Sequence, residues 1–139
     1  LVREKDGVRY YNDSIASSPT RTIAGLRSFE EKLILIAGGY DKHIPYDVLG
    51  PELVAHVKTL VLTGATAEKI RQAVLAAPGY RPGCPEILEE ADFYDAIRTA
   101  ARCAKPGDVV MLSPASASFD HFRNFMERGE EFKKTVRSL

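Results

Sequence analysis

Apolar and polar positions along this chain follow two alternating rhythms. Leu33–Ala37 and Val109–Leu112 are short unbroken apolar runs with β-branched residues, the pattern of strands buried on both faces of a parallel sheet. Residues 59–63 predict another strand, and residues 86–88 a short one. At the start, residues 1–4 and Val8–Asn12 flank Lys5-Asp6-Gly7, and the Asp-Gly pair predicts a hairpin turn. Between the strands the period lengthens to that of helices. Ser18 as N-cap with Pro19 behind it opens a helix through about Phe29. Residues 45–56 predict a second, with Val48, Leu49, Leu53 and Val54 turned inward, and Thr66 caps a third that carries Ile70, Val74 and Leu75. A fourth covers residues 92–104. Ser118 and Asp120 offer N-caps for a last helix with apolar positions at Phe122, Phe125, Gly129, Phe132, Val136 and Leu139. The mixed charges of that helix, Arg123, Glu127, Arg128, Glu130, Glu131, Lys133, Lys134 and Arg137, read as a solvated face. Residues 78–85, rich in Pro and Gly, read as an outer loop. Strands alternating with helices predict one α/β domain whose mostly parallel sheet is covered on both faces.

Composition narrows the classes of partner. The 139 residues suit a single domain. Nineteen basic residues balance nineteen acidic ones, which leaves no electrostatic footprint for nucleic acid or an anionic membrane. No apolar run approaches the roughly 20 residues of a membrane span and no signal-peptide pattern opens the chain, so the cytoplasm is the expected compartment. Cys84 and Cys103 have no second Cys or His at metal-ligand spacing and read as ordinary thiols in a reducing environment. The chain opens at Leu1 without Met and already in strand-like sequence, which predicts a piece of a longer protein.

Candidate chemistry collects where strands hand over to helices. In parallel sheets ligands sit outside the carboxyl ends of the strands, and three polar stretches fall there: residues 13–18, 38–42 and 113–118. Asp13 suits ribose hydroxyls or a cation, and equally a plain turn. Gly38 and Gly39 allow a tight turn or close approach to a ligand, and Lys42 behind them is a cation for an anionic substrate or a solvated surface lysine. Ser118 either caps the last helix or joins its free N–H groups in holding a carboxylate or phosphate. His43 reads as loop surface, and His56 as a favourable partner of a helix C-terminus. Neither GxGxxG nor GxxxxGK[ST] occurs, so no dinucleotide or triphosphate cradle is recognisable. The residues alone therefore predict an anion-binding α/β domain.

Three motifs in fixed order add a family likeness: Tyr11-Asn12-Asp13-Ser14-Ile15-Ala16-Ser17-Ser18, Ala37-Gly38-Gly39-Tyr40-Asp41-Lys42, and Leu112-Ser113-Pro114-Ala115-Ser116-Ala117-Ser118-Phe119-Asp120 with Arg123-Asn124-Phe125 and Glu127-Arg128-Gly129. Together they resemble, over essentially the whole chain, the C-terminal domain of the Mur ligases, on the side of the family that adds D-glutamate. The resemblance implies a Rossmann-like three-layer α/β/α domain whose six-stranded, mostly parallel sheet runs 1-2-6-3-4-5 with strand 1 antiparallel. It implies an ATP-dependent ligase of peptidoglycan precursor synthesis. There ATP phosphorylates the carboxylate of UDP-MurNAc-L-alanine, and the amine of D-glutamate attacks the acyl phosphate. The UDP-binding and ATP-binding domains, and most of the contacts to ATP and Mg2+, would lie outside this chain, which would have no activity of its own; the full-length enzyme would be a monomer. By motif position Ser17, Lys42 and Ser118 would meet the D-glutamate carboxylates, Phe125 would shape the pocket, and Asp13 would reach the nucleotide. Four positions depart from the pattern: Ile15 stands where many relatives carry Lys, Ser17-Ser18 where many carry Thr-Asn, and Ser116 where a Cys is common. A sister ligase for another amino acid would carry an Asp-Tyr-Ala-His type motif in place of Asn12-Asp13-Ser14-Ile15. The other class of reading is a freestanding module that binds a small anion or a partner without catalysis.

Overall fold

Asp6 and Gly7 both take positive φ, 53° and 79°, in the computed structural model of the chain. A two-residue turn of that hand matches the twist of a β-hairpin. The turn joins β1 (Arg3–Lys5) to β2 (Val8–Asn12), the one antiparallel pair of the sheet. The structure describes residues 1–118 and 122–139. After the hairpin, helices and parallel strands alternate: α1 (Pro19–Leu26), β3 (Leu33–Ala37), α2 (Leu49–His56), β4 (Val57–Leu62), α3 (Ala67–Leu75), β5 (Glu86–Glu89), α4 (Phe93–Cys103), β6 (Val109–Leu112) and α5 (Phe125–Arg137). The six-stranded sheet has the order β1-β2-β6-β3-β4-β5, as the resemblance implies. β6 lies between β2 and β3, with Val110 opposite both Tyr10 and Ile34.

Strand alternation sorts the core into two layers. Leu33, Leu35 and Ala37 of β3 face Leu26, Leu49, Leu53, Ile70 and Val74 of α1, α2 and α3. Ile34 and Ile36 face Phe93, Ala96, Ile97, Phe132 and Val136 of α4 and α5. Every residue of β3 is fully buried, which is why its sequence is apolar on both faces and shows no period of two.

Several boundaries differ from the sequence reading. The last helix starts at Phe125, not behind Ser118, because Asn124 is the N-cap whose side chain accepts the Glu127 N–H. Phe122 precedes the helix and meets Phe93 edge-on at 4.9 Å. Asp120, the other proposed cap, lies outside the described residues. The second helix begins at Leu49, four residues later than residue 45, and Val48 is exposed instead of buried. α1 ends at Leu26, and Phe29 turns onto Tyr11 with ring centroids 5.0 Å apart. β4 follows α2 without a loop, two residues earlier than expected. Thr66 occupies an N-cap position, but its hydroxyl accepts the Gly39 N–H from another segment.

Candidate functional site

Loops follow the carboxyl ends of β2, β6 and β3, which are neighbours in the sheet, and backbone hydrogen bonds join the three. Ala115 N–H donates to the Ala16 carbonyl at 2.9 Å, which ties the third loop to the first. Gly38 N–H donates to Pro114 and Tyr40 N–H to Ala117, each at 2.8 Å, which ties the second loop to the third. Gly38 has φ 111°, and a Cβ there would run into the Thr63 carbonyl, so this crossing admits only glycine. Ala115 holds a left-handed φ of 55° with a side chain present, a strained conformation maintained by its surroundings.

A buried arginine completes the junction. Arg128 in the first turns of α5 is 2% exposed. Its Nε donates to Ser14 Oγ at 3.0 Å, Nη2 to the Ser14 carbonyl at 2.7 Å and Nη1 to the Ser116 carbonyl at 2.8 Å. Ser17 Oγ lies 3.5 Å from Nη2. The planar fork of donors thus holds the first and third loops in register. The sequence reading placed Arg128 on a solvated face, and the structure corrects this. The overlooked signal is its position: Arg128 stands four residues before Phe132 and eight before Val136, on the buried stripe of α5.

The other candidate residues occupy distinct places around this junction. Lys42 is exposed at the rim and has no hydrogen bond or ion pair among the described residues. Ser17 is half-buried beside Arg128. Ser118 is only 3% exposed, and its carbonyl accepts the Phe122 N–H. It is not the cap of α5. Phe125, 37% exposed, begins α5, and its carbonyl accepts from the Ser14 hydroxyl at 2.7 Å. Asp13 stands apart from Lys42 on the α1 side, where a groove of about 460 Å³ also meets Ile15, Thr20, Arg21 and Gly25. Its carboxylate accepts from Ser113 Oγ at 2.7 Å. Burial pushes the Asp13 pKa above its ordinary value, while the Ser113 hydrogen bond and the nearby Arg21 charge pull against that shift.

A cavity of about 810 Å³ is not between the three loops. It lies outside the second loop, against α2 and α3, beside His43, Tyr46 and Lys69. Lys69 and His43 both approach Asp41, at 2.7 and 3.8 Å, and Lys69 above all holds the Asp41 pKa below the ordinary carboxylate value. Among the described residues no three His, Cys, Asp or Glu side chains gather in a way that could hold a metal ion, and no helix is long and apolar enough to cross a membrane.

Taken together, the crossing order of the sheet and the joined loops at its carboxyl edge define a doubly wound α/β domain with a polar loop edge. The family model described as Mur ligase, glutamate ligase domain matches residues 1–116, and the chain belongs to that family. Among curated relatives, the UDP-N-acetylmuramoylalanine–D-glutamate ligase of Acetivibrio thermocellus is 58% identical across all of this chain and 30% of its own length. The enzyme of the same name from Clostridium novyi is 56% identical with the same coverage. The chain therefore spans about a third of the relatives it matches. Among solved structures, a UDP-N-acetylmuramoyl-L-alanyl-D-glutamate–2,6-diaminopimelate ligase superposes with a TM-score of 0.64 at 16% identity, over 98% of this chain and 30% of that one. A murein peptide ligase from Psychrobacter arcticus gives 0.61 at 15%, over 100% and 28%. At such identities these structures speak for the fold.

Proposed function

We propose that this chain is the amino-acid-binding domain of a cytoplasmic ATP-dependent ligase that joins D-glutamate to UDP-MurNAc-L-alanine. The observation that carries the reading is end-to-end similarity to ligases of that name, 58% across the whole chain. ATP converts the alanyl carboxylate to an acyl phosphate, the D-glutamate amine attacks its carbonyl carbon, and phosphate leaves as the amide forms. UDP-binding and ATP-binding domains beyond this chain would hold the nucleotide sugar, ATP and Mg2+, in keeping with its 30% share of the relatives' length.

This domain's part is to orient the amine by holding the two carboxylates of D-glutamate. Lys42 offers an exposed ammonium with no competing partner among the described residues. The Ser17 hydroxyl and Ser118 are assigned to the same carboxylates from the first and third loops, and Phe125 to the wall of the pocket. Asp13 faces the groove on the α1 side and is assigned to the nucleotide. Charge-assisted hydrogen bonds of this kind contribute about 1.5 to 3 kcal/mol each.

Titration of the isotope-labelled chain with D-glutamate tests the assignment. The expected result is amide shifts confined to the loops bearing Ser17, Lys42 and Ser118, with a Kd of about 1 mM or weaker because few contacts offset the ordering of a small ligand. D-alanine, with a single carboxylate, is expected to bind more weakly still. Shifts confined to other surfaces, or none at concentrations well above about 10 mM, overturn the assignment.

A further inference from the structure

The loop that carries Lys42 is anchored at both ends to the loop that carries Ser118. At its start Tyr40 N–H donates to the Ala117 carbonyl at 2.8 Å. At its end Tyr46 is 4% exposed, and its hydroxyl lies 2.9 Å from Ser116 Oγ. Ser116 Oγ is also 2.8 Å from Thr66 Oγ1, which accepts the Gly39 N–H at 3.0 Å. Gly39, Thr66, Ser116 and Tyr46 therefore form a relay that leaves the second loop at its first residues and returns to it at its last. Thr66 and Ser116 are fully buried. Asp41 adds an outer tether to Lys69 of α3 at 2.7 Å and accepts the His43 N–H at 2.7 Å, with His43 at a φ of 59°.

The phenol is chemically informative. The Tyr46 ring packs with the core formed by α1, α2 and α3, a role that phenylalanine would fill without bringing a polar group inside. A buried hydroxyl is tolerated only when it is hydrogen-bonded, and this one spans 70 residues of sequence to Ser116. We infer that Tyr46 is a positioning residue whose hydroxyl closes the second loop onto the third and so sets Lys42 over Ser118. This rests on the reading above, in which those two residues meet D-glutamate. Burial makes the link effective: Tyr46 and Ser116 are shielded from solvent, so loss of the bond leaves the end of the loop unfixed.

Tyr46→Phe, Ser116→Ala and the double variant of this chain test the inference, with Leu53→Val as a control that weakens the core layer shared with the Tyr46 ring but leaves the Tyr46 hydroxyl in place. Tyr46→Phe is expected to weaken D-glutamate binding about three- to tenfold, the range of one lost buried hydrogen bond, and to speed amide exchange between Asp41 and Tyr46. The double variant is expected to bind no more weakly than Ser116→Ala alone, because the two changes break one link. Leu53→Val should melt earlier yet bind D-glutamate like the parent chain. If Tyr46→Phe binds within twofold of the parent chain, or if Leu53→Val loses as much affinity for the same drop in melting temperature, the positioning role is wrong and the glutamate site stands. If the parent chain itself binds no D-glutamate, the functional reading fails and the positioning role goes with it.

Discussion

One guanidinium decides the shape of the loop edge. Removing Arg128 takes away the donors to the Ser14 and Ser116 carbonyls at a buried junction, so Arg128→Ala is expected to destabilise the chain by about 3 kcal/mol or more. Arg128→Lys should recover little, since a single ammonium cannot reproduce the fork. Urea unfolding of both variants checks this. Asp13 is predicted to have a distinct pH signature. Burial raises its pKa in the folded chain above the ordinary 3.8, so the folded state takes up this proton before the unfolded state does. Its charge then opposes folding at neutral pH, and that opposition fades as pH falls through the raised pKa. The parent chain should therefore gain stability relative to Asp13→Asn as pH falls from neutral toward 3.8, measured as the difference in their unfolding midpoints. A difference that moves the other way would mean that the Ser113 bond outweighs burial. Lys42 and Asp13 were both legible in the sequence as polar residues behind strands. Arg128 was not, because a charged residue on an apolar stripe reads as solvated until its partners, 12 and 114 residues away, are known.

At the scale of elements, β6 is the strand on which the three loops depend, because it separates β2 from β3. Val110 is fully buried between Tyr10 and Ile34. Val110→Asp places an unpaired carboxylate there, at a cost of several kcal/mol against a total stability of about 5 to 15. The variant is expected to lose its cooperative melting transition by circular dichroism. A milder change tests the start of α5: Asn124→Ala removes the cap on Glu127 N–H and should cost about 1 kcal/mol. Elements with local determinants could be read directly from the chain. The Asp6-Gly7 turn and Pro19 behind Ser18 lie where the residues place them. The start of α5 could not be read this way. Ser118, Asp120 and Asn124 are all good caps, and the choice between Ser118 and Asn124 comes from tertiary structure: Ser118 is held in the loop joined to Tyr40, while Asn124 is free to turn onto Glu127. Val48 was misjudged for a related reason. A single apolar residue before a helix carries no phase.

For the whole molecule, division of labour is the argument. The chain lacks a triphosphate cradle in its sequence, and it spans 30% of the ligases it resembles. Given UDP-MurNAc-L-alanine, D-glutamate, ATP and Mg2+, it is expected to release no phosphate above a heat-killed control. Sustained turnover would show that the activating machinery is inside these residues after all. Grafted in place of the matching segment of the Acetivibrio thermocellus relative, to which it is 58% identical, it is expected to support ligation. In that chimera Lys42→Ala should raise KM for D-glutamate about ten- to a hundredfold, the effect of losing one charge-assisted contact of about 1.5 to 3 kcal/mol. KM for ATP and for the UDP-sugar should stay close to the parent values, since Lys42 follows β3, which β6 separates from β2, and does not line the Asp13 groove. Ser118→Ala should act in the same direction but less, because it removes a neutral hydroxyl and leaves the ammonium in place. Steady-state kinetics against each substrate in turn decide the matter. A D-glutamate KM within twofold of the parent corresponds to under about 0.5 kcal/mol, too little for a direct carboxylate contact, and would remove Lys42 from the site.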